Sequence, residues 1–244
     1  MKEFLPAGGT LEWLTLTFKG NYRDIIYISA NPYVNSKMEV EDWKGTFKFD
    51  ARKHFYKVID VWDWGWNKEL WSVHPREVNK ATLSVIRLYP NKRFIIHYLQ
   101  PHYPYLFYKK TIFASPIDRI KGFIRWKLHD LGLKRMADLM LGPPPSYLRK
   151  VAKKIGIEGL RMAYEFNLRL VLIYVKNLLR YLDGKIIITS DHGEDLGEQG
   201  IYGHCQSYVP WLVINKPEKE VLYKNRLKWK IKQVREKLKQ VESR

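Results

Sequence analysis

Five short apolar runs constrain the fold of this chain more than any other feature of its sequence. They cover residues 24–30, 55–61, 93–99, 185–190 and 209–214. The runs lack a clean alternation of apolar and polar residues, which is typical of strands in a parallel sheet covered on both faces. Two helical segments, 146–156 and 158–182, separate the third run from the fourth. The pattern predicts an α/β fold.

The composition indicates a folded protein of a reducing compartment. Hydrophobic residues make up 45% of the chain, enough for a sizeable core. The single cysteine, Cys205, excludes an internal disulfide and any zinc site with several cysteines. The most apolar stretch, 167–182, contains Arg169, Lys176 and Arg180 and is shorter than the ~20 apolar residues that a membrane span needs. We therefore expect a cytoplasmic protein.

The chain carries a formal net charge of +18, and part of this charge is concentrated at its C-terminal end. Residues 216–244 contain eleven Lys or Arg and four Glu, with apolar residues recurring every three or four positions. This spacing predicts two parts, an α/β domain over 1–217 and a basic amphipathic helix over 218–244. The helix either docks on the domain with its charges in solvent, or contacts an acidic membrane surface or nucleic acid. The chain carries no nucleic-acid-binding motif, so we rank nucleic acid last.

The fourth apolar run ends in a motif that carries metal chemistry. Asp191 and His192 follow it directly, with Gly193 and Glu194 next. A carboxylate and an imidazole at the end of a strand can bind a divalent cation, and a glycine allows a sharp turn after them. The run resembles the Ser-Asp-His-Gly-Glu metal motif of the sulfatase-like branch of the alkaline phosphatase superfamily. The resemblance implies that Asp191 and His192 bind the catalytic metal, and that His204 of the following Gly-His assists.

Two further segments resemble the same family. Residues 94–105 resemble its strand ending in a Pro-His-x-Pro loop, which implies that His102 contacts the oxyanion of the substrate. His97 lies inside the predicted strand, and we interpret it as a structural histidine. Residues 164–182 resemble the helix that precedes the metal motif. The resemblance covers most of the chain from Thr10 to about residue 217.

Residues 7–14 resemble the turn that carries the nucleophile of the family, with Thr10 in the position of the attacking hydroxyl. A threonine hydroxyl needs a metal to stabilise its alkoxide. The alternative is that Thr10 caps a helix beginning at Leu11, and both roles are compatible. In the family an apolar strand ending in a metal-binding Asp or Glu precedes this turn, and here only residues 1–6 do. The resemblance thus implies an alkaline-phosphatase-like three-layer sandwich with a mostly parallel central sheet and its first strand missing.

The implied metal site holds one divalent ion, which is Mn, Mg, Ca or Zn. Thr10, Asp191 and His192 are three ligands, so a fourth must come from solvent or from Glu12 or Glu194. No formylglycine motif of true sulfatases occurs, which favours a phosphoester over a sulfate ester as substrate.

Our leading hypothesis is a metal-dependent hydrolase or transferase that acts on an anionic ester, with Thr10, His102 and His204 as catalytic residues. Two alternatives remain open. One is a catalytically degenerate member of the family that binds an anionic ligand. The other is a basic protein that binds nucleic acid or a membrane surface.

Overall fold

The computed structural model describes residues 1–42, 45–107 and 147–217, together with four single residues between 124 and 136. The strands, numbered in chain order, are β1 (Lys2–Leu5), β2 (Tyr22–Ser29), β3 (Val40–Glu41), β4 (Lys48–Phe49), β5 (Phe55–Asp60), β6 (Trp66–Asn67), β7 (Ser72–Val73), β8 (Arg93–His97), β9 (Gly184–Ile188), β10 (Gly193–Leu196), β11 (Tyr202–Cys205), β12 (Ser207–Pro210) and β13 (Leu212–Lys216). The helices are α1 (Thr10–Thr17), α2 (Ala51–His54), α3 (Val61–Trp64), α4 (Pro75–Leu88) and α5 (Tyr147–Leu179). The basic helix predicted at 218–244 lies outside the described residues.

A three-stranded parallel sheet in the order β5-β2-β8 forms the centre of the N-terminal half. These strands are the first three predicted apolar runs, so that part of the prediction is confirmed. The middle strand, β2, is buried on both faces. Ile25 and Tyr27 pack on one side with Leu14 of α1, while Ile26 and Ile28 pack on the other. The alternating directions of successive side chains in a strand allow one short run to fill two cores.

Helix α4 covers the second face of this sheet. Its buried residues Val78, Ala81 and Val85 recur every three or four positions and pack with Ile26 and Ile28. His74 caps the helix, because its Nδ1 accepts a hydrogen bond from the Arg76 backbone N–H at 3.2 Å. The helix connects β7 to β8 and is part of the crossover connection that allows β8 to run parallel to β2.

The predicted three-layer sandwich with a large, mostly parallel central sheet is wrong. Beyond the three parallel strands, the described sheets are antiparallel pairs: β1 with β12, β3 with β4, β6 with β7, β9 with β13, and β10 with β11. The run at 185–190 forms β9, which pairs antiparallel with β13, and the run at 209–214 divides at Trp211 into β12 and β13. The physical reason is visible in β9, whose residues alternate in burial and whose Ile187 is 41% exposed. A strand with one exposed face suits an antiparallel pair rather than a doubly covered parallel sheet.

The expectation of a missing first strand also needs correction. Residues Lys2–Leu5 do form a strand, β1, before Thr10, but it pairs antiparallel with β12 from Lys2 opposite Pro210 to Leu5 opposite Ser207. This strand ends in Leu5 rather than in a carboxylate. Its pairing with β12 holds the turn before Thr10 close to β11, which follows the Asp191 motif, because only Gln206 separates β11 from β12.

The long helix α5 joins the two halves of the molecule. The break predicted after residue 156 is confirmed, because Gly156 has a φ of 77° and a ψ of 167° inside the helical span. Such a left-handed φ favours glycine. The N-terminal part of α5 packs Leu148, Val151 and Leu160 around Tyr105 and Leu196. In the part of the chain that the structure describes, no helix combines the length and apolar character needed to cross a membrane.

Candidate active site

Thr10 is the first residue of α1, and its hydroxyl is held at a buried position. Its Oγ1 donates a hydrogen bond to Asp191 Oδ2 at 2.6 Å and accepts one from Asn31 Nδ2 at 3.2 Å. Asn31 follows the end of β2, so the parallel sheet positions one of these partners directly. The residue before the helix is Gly9, and no side chain caps the helix. The alternative role of Thr10 as an N-cap is therefore wrong, and its hydroxyl faces the metal motif instead.

Asp191 and His192 follow β9, and Asp191 is the residue that accepts the hydrogen bond of Thr10. The distance from Asp191 Oδ2 to His192 Nε2 is 3.7 Å. His192 Nδ1 lies 2.9 Å from the carbonyl oxygen of Gly193, which can only accept, so Nδ1 carries a proton. When His192 is neutral, its Nε2 lone pair therefore faces the Asp191 carboxylate. Two electron-pair donors that face each other in this way favour a cation between them.

His97 was interpreted from the sequence as structural, and the structure brings it to the same carboxylate. It is the last residue of β8, opposite Ser29 of β2, and its Nε2 lies 3.7 Å from Asp191 Oδ2. Its Nδ1 is 2.8 Å from the hydroxyl of the buried Tyr27. That contact fixes the ring orientation and leaves Nε2 directed at Asp191. The signal in the sequence was its position at the carboxyl end of a parallel strand, where ligands collect in such sheets.

Electrostatics around Asp191 favour its charged form. Burial acts to raise the pKa of this carboxyl, but the charges of His97 and His192 and the Thr10 hydrogen bond prevail, so the pKa lies below its ordinary value. Burial also lowers the pKa of His97, with a further contribution from the charge of His192, while the charge of Asp191 opposes both. The result is a carboxylate anion beside a histidine that favours its neutral form, which is the protonation state of metal ligands.

A second group of side chains lies beside the first. His102 Nδ1 is 2.5 Å from Glu194 Oε1, and His204 Nε2 is 3.9 Å from the same oxygen. The side chain of Glu194 is only 5% exposed. The ring centroids of His192 and His204 are 4.2 Å apart, so this contact joins the two groups. The sequence named His102 and His204 as catalytic candidates, but it gave Glu194 only as a substitute ligand.

The pKa values within this second group diverge. Burial acts to lower the pKa of His102, but the hydrogen bond and charge of Glu194 prevail and raise it. Burial, together with the charges of His102 and His192, lowers the pKa of His204 to about 4. At neutral pH His204 is thus uncharged and offers a lone pair. Burial acts to raise the pKa of Glu194, and its histidine neighbours prevail and lower it.

A buried asparagine holds the loop that carries His102. Asn167 lies in α5 with 0% exposure, and its Oδ1 accepts the backbone N–H of Leu106 at 2.9 Å. Its Nδ2 lies 3.1 to 3.3 Å from the carbonyl oxygens of Pro101, His102 and Pro104. Nothing in the sequence marks this residue, because a single polar residue in an amphipathic helix gives no local signal.

The structure gives Glu12 and Gly193 roles that differ from those suggested by the sequence. Glu12, a suggested fourth ligand, accepts the backbone N–H of Gly8 at 2.8 Å and thereby stabilises the turn before Thr10. Gly193 was expected to permit a sharp turn. Instead, a Cβ at this position would lie 2.5 Å from the Cβ of Ser207 and 2.9 Å from Cys205 Sγ. Glycine is needed there because the neighbouring strands approach so closely.

Comparisons with known proteins do not add to these observations. No protein family model, curated protein or solved structure matches the chain. The chemistry of the site is therefore inferred from its own residues.

Proposed function

We propose that this chain is a metal-dependent hydrolase or transferase that acts on an anionic ester, with a phosphoester favoured over a sulfate ester, through Thr10 as the nucleophile. The observation that carries the proposal is the 2.6 Å hydrogen bond from Thr10 Oγ1 to Asp191 Oδ2, with two histidine nitrogens 3.7 Å from the same carboxylate oxygen. A hydroxyl, a carboxylate and imidazoles thus converge on one point. The resemblance of the motif to sulfatase-like proteins supports the same chemistry, without the fold that it implied.

The donor atoms suit a divalent metal ion. Asp191 Oδ2 lies 3.7 Å from Nε2 of each histidine, near the about 3.4 Å that separates ligand atoms bonded at ~2.1 Å to a tetrahedral ion. These three donor atoms do not all lie within 4.8 Å of one another, so the two histidine side chains would have to close around the ion. Asp191, His192 and Thr10 would hold the ion. His97, which the sequence did not identify as a ligand, would be the fourth protein donor. Two imidazole nitrogens among the donors favour Zn, and next to it Mn, over Mg and Ca, which prefer oxygen ligands. When bound, the ion would stabilise the Thr10 alkoxide and the charge on the substrate oxygens.

Water carries the proton in the first step, and residues of the chain balance the charge. The Thr10 hydroxyl, oriented by its hydrogen bond to Asp191, gives its proton to water as Oγ1 forms a bond to phosphorus, and the bond from phosphorus to the ester oxygen breaks. The departing oxygen takes a proton from water. His102, whose raised pKa favours its charged form, stabilises the oxyanion, together with the uncapped N-terminus of α1. Because its pKa is lowered to about 4, His204 is uncharged at neutral pH and does not protonate the leaving group. Its predicted catalytic role is therefore limited to a contact between the neutral imidazole and the substrate.

In the second step, water or an acceptor alcohol attacks the phosphothreonine and frees Thr10. The bond from phosphorus to Thr10 Oγ1 breaks, and the proton of the attacking water or alcohol passes through solvent to the threonine oxygen, which restores the hydroxyl. The net charge of +18 favours an anionic substrate by long-range attraction.

The test is hydrolysis of an aryl phosphate and an aryl sulfate by the full chain, with Mn²⁺, Mg²⁺, Ca²⁺ and Zn²⁺ added in turn. We expect Asp191→Asn and Thr10→Val to lower metal-dependent phosphate turnover by at least ~100-fold, the scale of losing a group that stabilises the transition state. Thr10→Ser, which keeps the hydroxyl, should retain measurable activity. Asp195→Asn is the matched control, because Asp195 lies on β10 opposite Gly203 and its carboxylate contacts Cys205.

Turnover unchanged by Asp191→Asn would refute the assignment, provided that circular dichroism shows both proteins folded. A wild-type protein that binds metal and phosphate but turns over neither ester would favour the alternative of a binding protein without catalysis.

A further inference from the structure

His102, Glu194 and His204 form a compact group with its own geometry. Among the residues that the structure describes, they make up a set of three metal-ligating side chains whose donor atoms all lie within 4.8 Å of one another. Thr10, Asp191 and His192, the predicted ligands, are not members of it. The proposed function therefore places no metal ion at this group.

The fold builds this group from two independent elements. Glu194 and His204 are register partners on the antiparallel strands β10 and β11, so their side chains stand on the same face of the pair. His102 comes from the loop after β8, which Asn167 holds by contacts with three of its carbonyl oxygens. The positions of these side chains are thus set by strand pairing and by a buried hydrogen-bond network rather than by a mobile loop.

The donor set fits a metal ion. Two imidazoles and one carboxylate, with a further position open, are the ligands of a common class of zinc sites. The distances from Glu194 Oε1 to His102 Nδ1, 2.5 Å, and to His204 Nε2, 3.9 Å, lie on either side of the ~3.4 Å separation around a tetrahedral ion. Small side-chain rotations would equalise them. The nearly fully buried Glu194 carboxylate contacts His102, and a bound ion would take the place of the proton between these two side chains.

We infer that His102, Glu194 and His204 form a second metal-binding site, of the zinc class, beside the proposed site at Asp191. The ligand atoms are His102 Nδ1, a Glu194 carboxylate oxygen and His204 Nε2. Because His102 binds through Nδ1, its Nε2–H is left to donate a hydrogen bond, so its proposed contact with the substrate oxyanion does not depend on a free imidazolium. The 4.2 Å contact between the rings of His192 and His204 makes the two sites adjacent.

The test is the number of zinc ions that the full chain retains. The chain is freed of metal with a chelator, loaded with Zn²⁺, separated from free ion by gel filtration and analysed for zinc by mass spectrometry. We expect two ions per chain for the wild type and one for each of Glu194→Gln and His204→Gln, with affinity at that site lowered by more than ~100-fold, since even partners outside the ligand set are worth ~10–100-fold. Two variants are used in case one fails to fold, and His54→Gln, far from the cluster on α2, is the control.

The result separates this inference from the proposed function. If only the second site exists, the wild type holds one ion, Glu194→Gln holds none, and Asp191→Asn still holds one. If the inference is wrong, folded Glu194→Gln and His204→Gln both retain the wild-type zinc content, or the wild type retains no zinc. As an independent readout, Co²⁺ loaded at this site should give visible absorption that disappears in Glu194→Gln and persists in Asp191→Asn.

Discussion

Asn167→Ala tests how strongly the core holds the His102 loop. The substitution leaves the buried N–H of Leu106 without its acceptor, which costs about 1–3 kcal/mol. It also removes two N–H donors shared among the carbonyl oxygens of Pro101, His102 and Pro104, each worth about 1 kcal/mol. We therefore expect the free energy of unfolding to fall by about 3–5 kcal/mol. Urea denaturation at neutral pH, followed by circular dichroism, measures this loss through the midpoint.

The matched control is Asn177→Ala, because Asn177 is an exposed asparagine on the same helix. We expect that change to alter stability by less than about 0.5 kcal/mol. If Asn167→Ala were no more destabilising than Asn177→Ala, the loop would not depend on this residue and the reasoning would fail. A second readout follows from the site. Zinc affinity at the His102 group should fall in Asn167→Ala and stay unchanged in Asn177→Ala.

Two more predictions concern stability away from the proposed chemistry. The hydrogen bonds from Arg52 lower the pKa of Asp50 to about 2, although burial acts to raise it. The ionised Asp50 therefore contributes its full stabilisation above the unfolded-state pKa of ~3.9, and this contribution is lost as the pH falls through about 2. Because Arg52 is half-exposed, solvent screens this pair, and we expect the free energy of unfolding of the wild type to fall by about 1–2 kcal/mol more than that of Asp50→Asn between pH 5 and pH 2. Urea midpoints measure this difference, and equal losses would contradict the prediction. Gly193→Ala should destabilise the protein by about 1–3 kcal/mol, because its methyl group would overlap Ser207 and Cys205. Gly20→Ala, whose methyl would make only ordinary contacts with Tyr22, is its control, and a similar melting temperature for the two variants would disprove the close approach.

The prediction of parallel strands succeeded for the first three runs and failed for the last two. The runs at 24–30, 55–61 and 93–99 form the parallel sheet, and β2 shows why, since its consecutive residues fill the cores on both sides. The same kind of run at 185–190 forms an antiparallel strand with an exposed face. Runs of apolar residues indicate a strand, but they do not specify the partner or its direction, which depend on residues far along the chain.

The candidate site was predictable to the extent that its residues lie in one local motif. Asp191 and His192 are neighbours in sequence, and Thr10 follows a glycine pair, so local pattern was sufficient to name them. His97 and Asn167 act through contacts across the fold. Asn167 lies more than 60 residues from each carbonyl that it binds, and no periodicity encodes such a distance.

The sequence alone determined that this chain forms short apolar strands and a long helix, that it carries a strong positive charge, and that a carboxylate and an imidazole follow one strand. These properties depend on local pattern and composition. The tertiary structure alone decided that Asp191 meets His97, and that Glu194 joins His102 to His204. Those contacts form only when strand pairing and helix packing bring distant segments within a few ångströms of one another, and neither is specified by neighbours in the chain.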